Sequence, residues 1–485
     1  MNPKHPNIVL IVLDTVGARH LSPYGYMRRT APGLEHIAAR STLYSRGFAP
    51  ACWTIPTHAS LFTGLYPAEH KTYGTNFMLD PNLHHLVSIL KGSGYQTIGF
   101  SSNGFVSPLN GICRDFDFFA DYGAMAPLAM LDRGNPQRRE FIRQLSQEKQ
   151  PSLNKMWFTL SQGVRYGYWD ILYAYGVNFL KKLLAGGPPW NASYRYTRRS
   201  FNHASRLLRS PEQGKTPFFL FFNFMDAHSL YNPPRQDRVY SRPTDRQTRH
   251  TYCLYGRKYA HLREQALPVW EALYDDTIIS LDRAVFQFWQ FLEAQKLLDN
   301  TVVIITSDHG EHFGEKGHYE HKFSLYNDNI WVPLLISFPR SVRSPGTDDR
   351  LVSLNDIFST LLEVCQSPFP CPRSSVSMLS ASRRASLSSM ILGGQARKES
   401  LRVQLQENEA WLRGISSCSY ALFLDKGLKL LEQDDGRLEI YNLAQDPAET
   451  NDLSSRMEAG LLQQLTALLR YDQEQTGYTG ARLTR

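Results

Sequence analysis

None of the six cysteines in the 485 residues lies in a Cys-x-x-Cys pair or at the spacing of a zinc-binding motif. The sequence therefore excludes a zinc finger and a thioredoxin-type redox motif. Cys365 and Cys371 are near enough in the chain to form a disulfide. Nothing else in the spacing requires one, and we expect a reduced chain.

Long apolar runs are also absent: no run reaches the roughly 20 residues of a membrane-spanning helix. The first apolar run, from Asn7 to Leu13, leads directly into Asp14. It is too short for the core of a signal peptide and is typical of a buried strand. We therefore expect a cytoplasmic location, with no signal peptide and no transmembrane segment.

Acidic residues are in deficit, with 45 Asp and Glu against 53 Lys and Arg. The excess positive charge lies in residues 124–215, which contain 15 basic and 5 acidic residues. Such a segment suits an anionic substrate or peripheral contact with an acidic membrane, and it equally suits a solvated helical insertion. Because no nucleic-acid-binding motif accompanies it, we expect no nucleic-acid partner.

Apolar residues make up 42% of the chain, which is ample for a large core. Several short apolar runs are continuous, as in parallel strands that are covered on both faces. Helical patterns separate them at 83–91 and 273–297. This alternation predicts an α/β fold, with strands near 8–13, 97–100, 218–224, 301–306 and 332–338.

The chain divides into three parts by composition. Residues 1–365 are expected to form a catalytic domain, with a basic helical insertion at 124–215 and a lid at 233–263. Residues 366–400 are rich in serine and predict an exposed loop. Residues 401–485 predict a small antiparallel subdomain, with strands near 420–423, 428–431 and 438–441 and a helix from about 456 to 471.

Polar side chains follow the ends of the apolar runs, where open α/β sheets bind ligands. Asp14 follows the first run, and Asp308 and His309 follow the run at 301–306. Two carboxylates and one imidazole can bind a divalent cation such as Ca²⁺, Mn²⁺, Mg²⁺ or Zn²⁺. Each residue taken alone could instead be an ordinary turn residue or a surface histidine.

Thr54 lies two residues before Pro56, at the start of a stretch that can form a helix. A hydroxyl at a helix N-terminus faces free backbone N–H groups and the positive end of the helix dipole. Beside a metal ion its pKa falls, and it becomes a nucleophile. The simpler interpretation is a helix N-cap.

Further polar residues follow two of the strands. Asp226 and His228 come after the run at 218–224, and His321 and Lys322 follow Asp308. The lysine could hold a tetrahedral anion, and a histidine could protonate a leaving oxygen. Asp226, His228 and His321 could alternatively form a second metal site.

Five stretches in order resemble the sulfatase family of the alkaline phosphatase superfamily, and together they span nearly the whole chain. They are residues 7–15 with 20–26, 54–70, 224–228, 307–311 and 441–453. The resemblance implies a large mixed β-sheet sandwiched by helices, with a smaller C-terminal antiparallel sheet. It also implies hydrolysis of a small anionic ester with a divalent cation as cofactor.

The resemblance also implies roles for individual residues. Asp14, Asp308 and His309 correspond to metal ligands, and Thr54 corresponds to the nucleophile. His228 corresponds to a histidine near the leaving group, and Lys322 corresponds to an anion-binding lysine. In the expected mechanism either His228 or His321 assists the leaving oxygen.

The nucleophile position departs from the family pattern. Typical sulfatases have Cys or Ser where Thr54 stands, and the Cys is oxidised to formylglycine. They have Arg where His58 stands, and many members have a second Asp where Thr15 stands. Cys52 is displaced by two residues and cannot replace the nucleophile.

A threonine nucleophile resembles the phosphodiesterases and phosphoryl transferases of the superfamily. We therefore expect a metal-dependent hydrolase of a phosphate or phosphonate ester or of a sulfate ester, with the phosphoester preferred. One alternative is a sulfuric ester hydrolase proper. The other is a phosphoryl-type transferase or a non-catalytic binder at a membrane surface.

Overall fold

The computed structural model describes residues 5–73, 76–122, 193–209, 216–229, 231–242, 263–321, 324–381, 384–391 and 418–478, with isolated positions between 137 and 172. Most of the expected insertion at 124–215 lies outside the described residues. So do much of the expected lid at 233–263, Lys322, and residues 392–417.

The strands, numbered along the described chain, are β1 (Asn7–Leu13), β2 (Thr42–Tyr44), β3 (Gly47–Phe48), β4 (Gln96–Ser101), β5 (Phe118–Asp121), β6 (Phe218–Phe224), β7 (Thr301–Thr306), β8 (His312–Phe313), β9 (Tyr319–Glu320), β10 (Leu334–Ser337), β11 (Gly346–Asp348), β12 (Val352–Ser353), β13 (Ser386–Met390), β14 (Cys418–Leu424), β15 (Leu428–Gln433) and β16 (Leu438–Asn442). The α-helices are α1 (Pro32–Ala38), α2 (Thr54–Thr63), α3 (Pro67–His70), α4 (Leu86–Gly92), α5 (Ser193–Leu208), α6 (Arg263–Ala294), α7 (Asn327–Ile330), α8 (Asp356–Val364) and α9 (Ala459–Gln475).

An eight-stranded mixed sheet lies at the centre, in the order β11-β2-β10-β7-β1-β6-β4-β5. Strand β1 pairs in parallel with β6 and β7, and β4 pairs in parallel with β5 and β6. Strand β10 runs antiparallel to β7 and β2. A separate antiparallel sheet has the order β13-β14-β15-β16. The predicted fold class is confirmed.

The central sheet is buried on both faces, as the continuous apolar runs predicted. On β1, Ile8, Leu10 and Val12 pack in a core that includes the apolar side chains of α2, α4 and α8. The alternate residues of the strand pack in a second core with α1, α5 and α6. Because fully burying one such side chain stabilises the fold by about 1.5–3 kcal/mol, these cores fix the sheet between two helical layers.

Two elements differ from the sequence expectation. Helix α6 begins at Arg263, ten residues before the predicted start. The prediction began too late because Pro268, which lies inside the first turns of the helix, is normally a sign that a helix has not yet begun. Ser386–Met390, inside the expected serine-rich loop at 366–400, forms β13 and pairs with β14. Its buried serine hydroxyls donate hydrogen bonds to Asp472 and to the Ala49 carbonyl, so serine content alone did not indicate a loop here.

Cys365 and Cys371 are free thiols and do not form the disulfide that their spacing allows. The predicted strands and the final helix of the C-terminal subdomain are present, as β14, β15, β16 and α9. Among the described residues, no helix is both long enough and apolar enough to cross a membrane.

The small sheet is joined to the catalytic domain through a buried ion pair. Lys429 Nζ donates to Glu449 Oε1 (2.5 Å) and to the Leu325 carbonyl (2.6 Å), and both charged side chains are almost fully buried. Glu449 Oε2 accepts the backbone N–H of Asn327 at 2.7 Å. The family-like segment 441–453 therefore contacts the first residue of α7.

Candidate active site

Five polar residues converge at one edge of the central sheet because parallel strands end there together. Asp14 follows β1, Asn103 follows β4, His228 follows β6, and Asp308 with His309 follows β7. The N-terminus of α2, which begins at Thr54, reaches the same edge, since the Thr54 hydroxyl lies beside His309.

Asp14, Asp308 and His309 form a buried cluster whose ligand atoms all lie within 4.8 Å of one another. His309 Nε2 lies 3.5 Å from Asp308 Oδ2 and 3.9 Å from Asp14 Oδ1. These two carboxylate oxygens have no hydrogen-bond partner although they are buried. Burial and the adjacent Asp308 charge raise the pKa of Asp14 well above its ordinary value. A bound cation would give the two buried oxygens a partner and would offset the repulsion between the two carboxylates. The three residues are therefore suited to bind a cation.

Neighbouring groups orient each of the three candidate ligands. His309 Nδ1 lies 3.0 Å from the Gly310 carbonyl, which can only accept, so Nδ1 carries the proton and the Nε2 lone pair faces the carboxylates. Asp308 Oδ1 accepts the backbone N–H groups of Thr15 (3.3 Å) and His309 (3.0 Å). Asp14 Oδ2 accepts from Asn103 Nδ2 at 2.5 Å. This is the outer-shell support that metal ligands normally have.

Thr54 is the first residue of α2, and the N-cap is Trp53, which makes no side-chain capping bond. The N-cap interpretation of Thr54 is therefore wrong. Its side chain is buried, with 4% exposure of the residue, and Oγ1 lies 3.4 Å from His309 Nε2. Pro56 fits the first turn because an N–H there would have no helical partner. Thr54 thus presents a hydroxyl to the cluster at the positive end of the helix.

His58 stands where the family has arginine, and it is completely buried. Its Nδ1–H donates to the Thr54 carbonyl at 2.9 Å, and its Nε2 accepts from Asn223 Nδ2 at 3.3 Å. Burial lowers the pKa of His58, so the ring is neutral at pH 7. His58 therefore ties the first turn of α2 to β6.

Two further histidines lie beside the cluster. The ring of His321 lies 4.5 Å from that of His309 and 4.9 Å from that of His228. His321 Nδ1 is 3.0 Å from Glu311 Oε1, and Tyr231 donates its hydroxyl to Glu311 Oε2 at 3.1 Å. Burial raises the pKa of Glu311 to about 8, while burial and the His321 charge lower the pKa of His228 to about 4.

Asp226 does not join these histidines, because its Oδ2 accepts the Thr197 hydroxyl at 2.5 Å. Burial raises the pKa of Asp226 to about 6. The second metal site considered for Asp226, His228 and His321 is not formed by the described residues. Thr15 is not a ligand either, since its hydroxyl donates to the Asp14 carbonyl at 2.7 Å.

The family model described as Sulfatase matches residues 6–367. The chain belongs to the sulfatase family. As a member of this family it is a hydrolase that acts on ester bonds. The family generally binds a divalent cation, and the cluster of Asp14, Asp308 and His309 suits one.

Two curated relatives match nearly the whole chain. It is 22% identical to arylsulfatase K of Canis lupus familiaris, over 97% of this chain and 83% of that protein. It is also 22% identical to an N-acetylgalactosamine-6-O-sulfatase of Bacteroides thetaiotaomicron, over 96% of this chain and 93% of that protein.

Two solved structures show the same fold. One, described as in complex with its substrate D-glucosamine-2-N,6-O-disulfate, has a TM-score of 0.68 and 16% identity, over 99% of this chain and all of that chain. The other, a phosphonate monoester hydrolase of Agrobacterium radiobacter, has a TM-score of 0.65 and 17% identity, over 97% and 96% of the two chains.

The supporting roles of Asn103 and Glu311 were not predicted from the sequence. Asn103 follows the end of β4, so the rule that selected Asp14 and Asp308 could have selected it. Glu311 lies ten residues before its partner His321. No local pattern predicts that separation, because it depends on how the chain from β8 to β9 folds back.

Proposed function

We propose that this protein hydrolyses sulfate esters with the Thr54 hydroxyl as the nucleophile and a divalent cation bound by Asp14, Asp308 and His309. The observation that carries the proposal is the position of Thr54 Oγ1, 3.4 Å from His309 Nε2 at the N-terminus of α2. We propose a sulfate ester as the preferred substrate, although the sequence favoured a phosphoester, because the two relatives that match nearly the whole chain are sulfatases.

A bound cation would supply positive charge that lowers the pKa of the Thr54 hydroxyl and offsets negative charge on a non-bridging sulfate oxygen. Thr54 loses its proton to solvent, and its Oγ1 forms a bond to sulfur while the bond from sulfur to the leaving oxygen breaks. The backbone N–H groups in the first turn of α2 favour the negative charge of the sulfate. Water then attacks the sulfur, the bond from sulfur to Thr54 Oγ1 breaks, and Oγ1 takes up a proton released by the water, which restores the hydroxyl and frees sulfate.

His321 is the better placed proton donor for the leaving oxygen. A proton shared between Glu311 Oε1 and His321 Nδ1, which lie 3.0 Å apart, leaves the ring able to carry a second proton on Nε2. His228 differs, because its Nδ1–H donates to the Ser229 carbonyl at 2.7 Å and its pKa is lowered to about 4. A neutral His228 offers a bare Nε2 that can hold the attacking water. The role expected for Lys322, to offset charge on the ester oxygens, stays a prediction, because this residue lies outside the described residues.

A phosphate or phosphonate ester is the second candidate substrate. An unmodified hydroxyl at position 54 favours it, and so does the likeness to a phosphonate monoester hydrolase. If an alcohol replaces water in the second step, the same site acts as a transferase. A cytoplasmic location and peripheral membrane contact remain predictions.

The test is turnover of 4-nitrophenyl sulfate, phosphate, phosphate diester and phosphonate with Mn²⁺, Mg²⁺, Ca²⁺ or Zn²⁺. Thr54→Val keeps the side-chain shape and removes the hydroxyl, whereas Thr54→Ser keeps a hydroxyl. Thr57→Val is the matched control, because Thr57 is buried one turn further along α2 and its Oγ1 donates to the Ala51 carbonyl at 3.3 Å.

We expect Thr54→Val to lose activity by about 10³-fold or more, as removal of a nucleophile does. Thr54→Ser should retain measurable turnover, and Thr57→Val should remain within about threefold of wild type, since it removes only one hydrogen bond away from the cluster. Activity of Thr54→Val near that of wild type would refute the nucleophile. Turnover of the phosphate or phosphonate substrates alone would reverse the order of the two candidates.

A further inference from the structure

Helix α5 forms one wall of an open groove with a volume of about 620 Å³. Four arginines line it together with His203 and Tyr122, and the arginines are Arg195, Arg198, Arg199 and Arg206. A volume of this size is in the range of sites that hold small molecules, roughly 300–1,000 Å³.

The groove is strongly positive, because its lining includes four arginines and no carboxylate. The buried Asp226 carboxyl interacts electrostatically with Arg198 from behind the wall, and no ion pair is formed by the four arginines with the described residues. Arg195 and Arg199 are both exposed and lie four residues apart on α5, a spacing at which like charges destabilise a helix. Arg199 lies over the ring of Tyr122, 5.0 Å from its centre, and this contact holds the Arg199 side chain in place. An anion in the groove would remove the repulsion.

One end of the groove lies near the catalytic edge of the sheet. Phe201 of α5 packs against Phe222 and Phe224 near the end of β6, and Thr197, one turn earlier, bonds Asp226 beyond that end. The N-terminal half of α5 therefore lies beside the residues that lead to His228.

Tyr122 reaches the same edge from the other wall. Its backbone N–H donates to the Ser101 carbonyl at 2.8 Å, at the end of β4. Two residues later along the chain, Asn103 holds Asp14. Both walls of the groove are thus anchored to segments that carry the reaction centre.

We infer that the groove binds a second anionic group of the substrate, so that the physiological ester carries at least one further sulfate, phosphate or carboxylate group. The inference rests on the proposed function for the identity of the scissile ester, but binding of an anion in the groove does not depend on it. A concave site favours an anionic molecule that enters it over the flat surface of a membrane.

The test compares the double variant Arg195→Gln/Arg199→Gln with wild type and with Arg340→Gln/Arg456→Gln. The control removes two exposed arginines that lie outside the groove. One measurement is calorimetric titration of sucrose octasulfate, which needs no catalysis. A second is steady-state kinetics on one pair of aryl sulfates and one pair of aryl phosphates. Within each pair, one substrate carries an additional sulfonate on its leaving group and the other does not. A third is flotation with vesicles of phosphatidylserine and phosphatidylcholine.

We expect the groove variant to bind sucrose octasulfate about five- to tenfold more weakly than wild type and the control variant, as expected for two partly exposed ion pairs. KM for the sulfonated substrates should rise by a similar factor, with little change for the unsulfonated ones. The difference should shrink at high ionic strength.

If no ester is turned over but octasulfate binding still falls only in the groove variant, the proposed function fails and the groove site stands. Equal octasulfate binding by all three proteins would overturn the groove site whatever ester is cleaved. A groove variant that loses vesicle binding but keeps octasulfate binding would overturn it in favour of a membrane surface.

Discussion

Replacement of Gly310 by alanine should damage the reaction centre without removing any functional group. A Cβ on Gly310 would lie 2.3 Å from the Asp328 carbonyl oxygen, a backbone atom that cannot rotate away. The two segments would have to separate by roughly 1 Å to restore an ordinary contact. Gly310 donates its N–H to the Asn329 carbonyl at 2.6 Å and accepts from His309 Nδ1, so this separation displaces His309, one of the three proposed metal ligands.

A displacement of about 1 Å at reacting groups costs on the order of 10²-fold in rate. We therefore expect Gly310→Ala to lower kcat/KM by about 10²-fold on whichever nitrophenyl ester the wild type cleaves. Gly17→Ala is the matched control, because a Cβ there meets the same Asp328 oxygen at 3.5 Å, an ordinary contact. Circular dichroism and thermal melting should show that both variants are folded.

A folded Gly310→Ala enzyme within about threefold of wild type would refute this reasoning, since it would mean that the His309 position tolerates the shift. Equal losses in Gly310→Ala and Gly17→Ala would also contradict it. In that case the damage would come from the added methyl group in general and not from the 2.3 Å contact.

Three further predictions concern groups that support the site and the fold. Asn103→Ala removes the donor to Asp14 Oδ2 and should weaken Mn²⁺ or Zn²⁺ binding by about 10- to 100-fold, measured by the shift of thermal stability with added metal. Lys429→Met leaves Glu449 buried and unpaired and should lower the free energy of unfolding by about 3 kcal/mol, measured by denaturant titration; a loss below about 1 kcal/mol would contradict the pair's role. Burial alone would raise the pKa of Asp348, but hydrogen bonds and charge from two arginines lower it to about 2. Its stabilising contribution is therefore present above the ordinary aspartate pKa and is lost as pH falls toward 2, so Asp348→Asn should reduce the melting temperature more at pH 7 than at pH 3.

The sheet could be predicted from sequence because several of its strands are continuous apolar runs. The predicted runs at 218–224 and 301–306 coincide with β6 and β7. The short strands β2 and β11 were not predicted, since three residues give no detectable pattern and their pairing joins segments about 300 residues apart. Strand β13 was not predicted because its serines are typical of a loop. Their hydroxyls donate hydrogen bonds to residues that are distant in the chain.

The same distinction holds at the site. Asp14, Asp308 and His309 could be selected by position, because each directly follows a recognisable strand. The supporting contacts could not, since they depend on side-chain directions that only the packed structure determines. The contact between Glu311 and His321 belongs to this second group. Asn103 follows a strand and could have been selected by position, but its hydrogen bond to Asp14 could not.

The loop after β1 shows how the fold keeps two carboxylates close together before a cation binds. Thr15 has a φ of 64°, which is unfavourable for a β-branched residue, and this conformation aims its N–H at Asp308 Oδ1. Tyr274 of α6 secures it: its hydroxyl donates to the Thr15 carbonyl at 2.6 Å and accepts the Gly17 N–H at 3.0 Å. Since such a strained backbone costs about 1–3 kcal/mol, the buried core around α6 must supply the energy that holds the ligands in place. The long helix thus orients the metal cluster although it contributes no ligand to it.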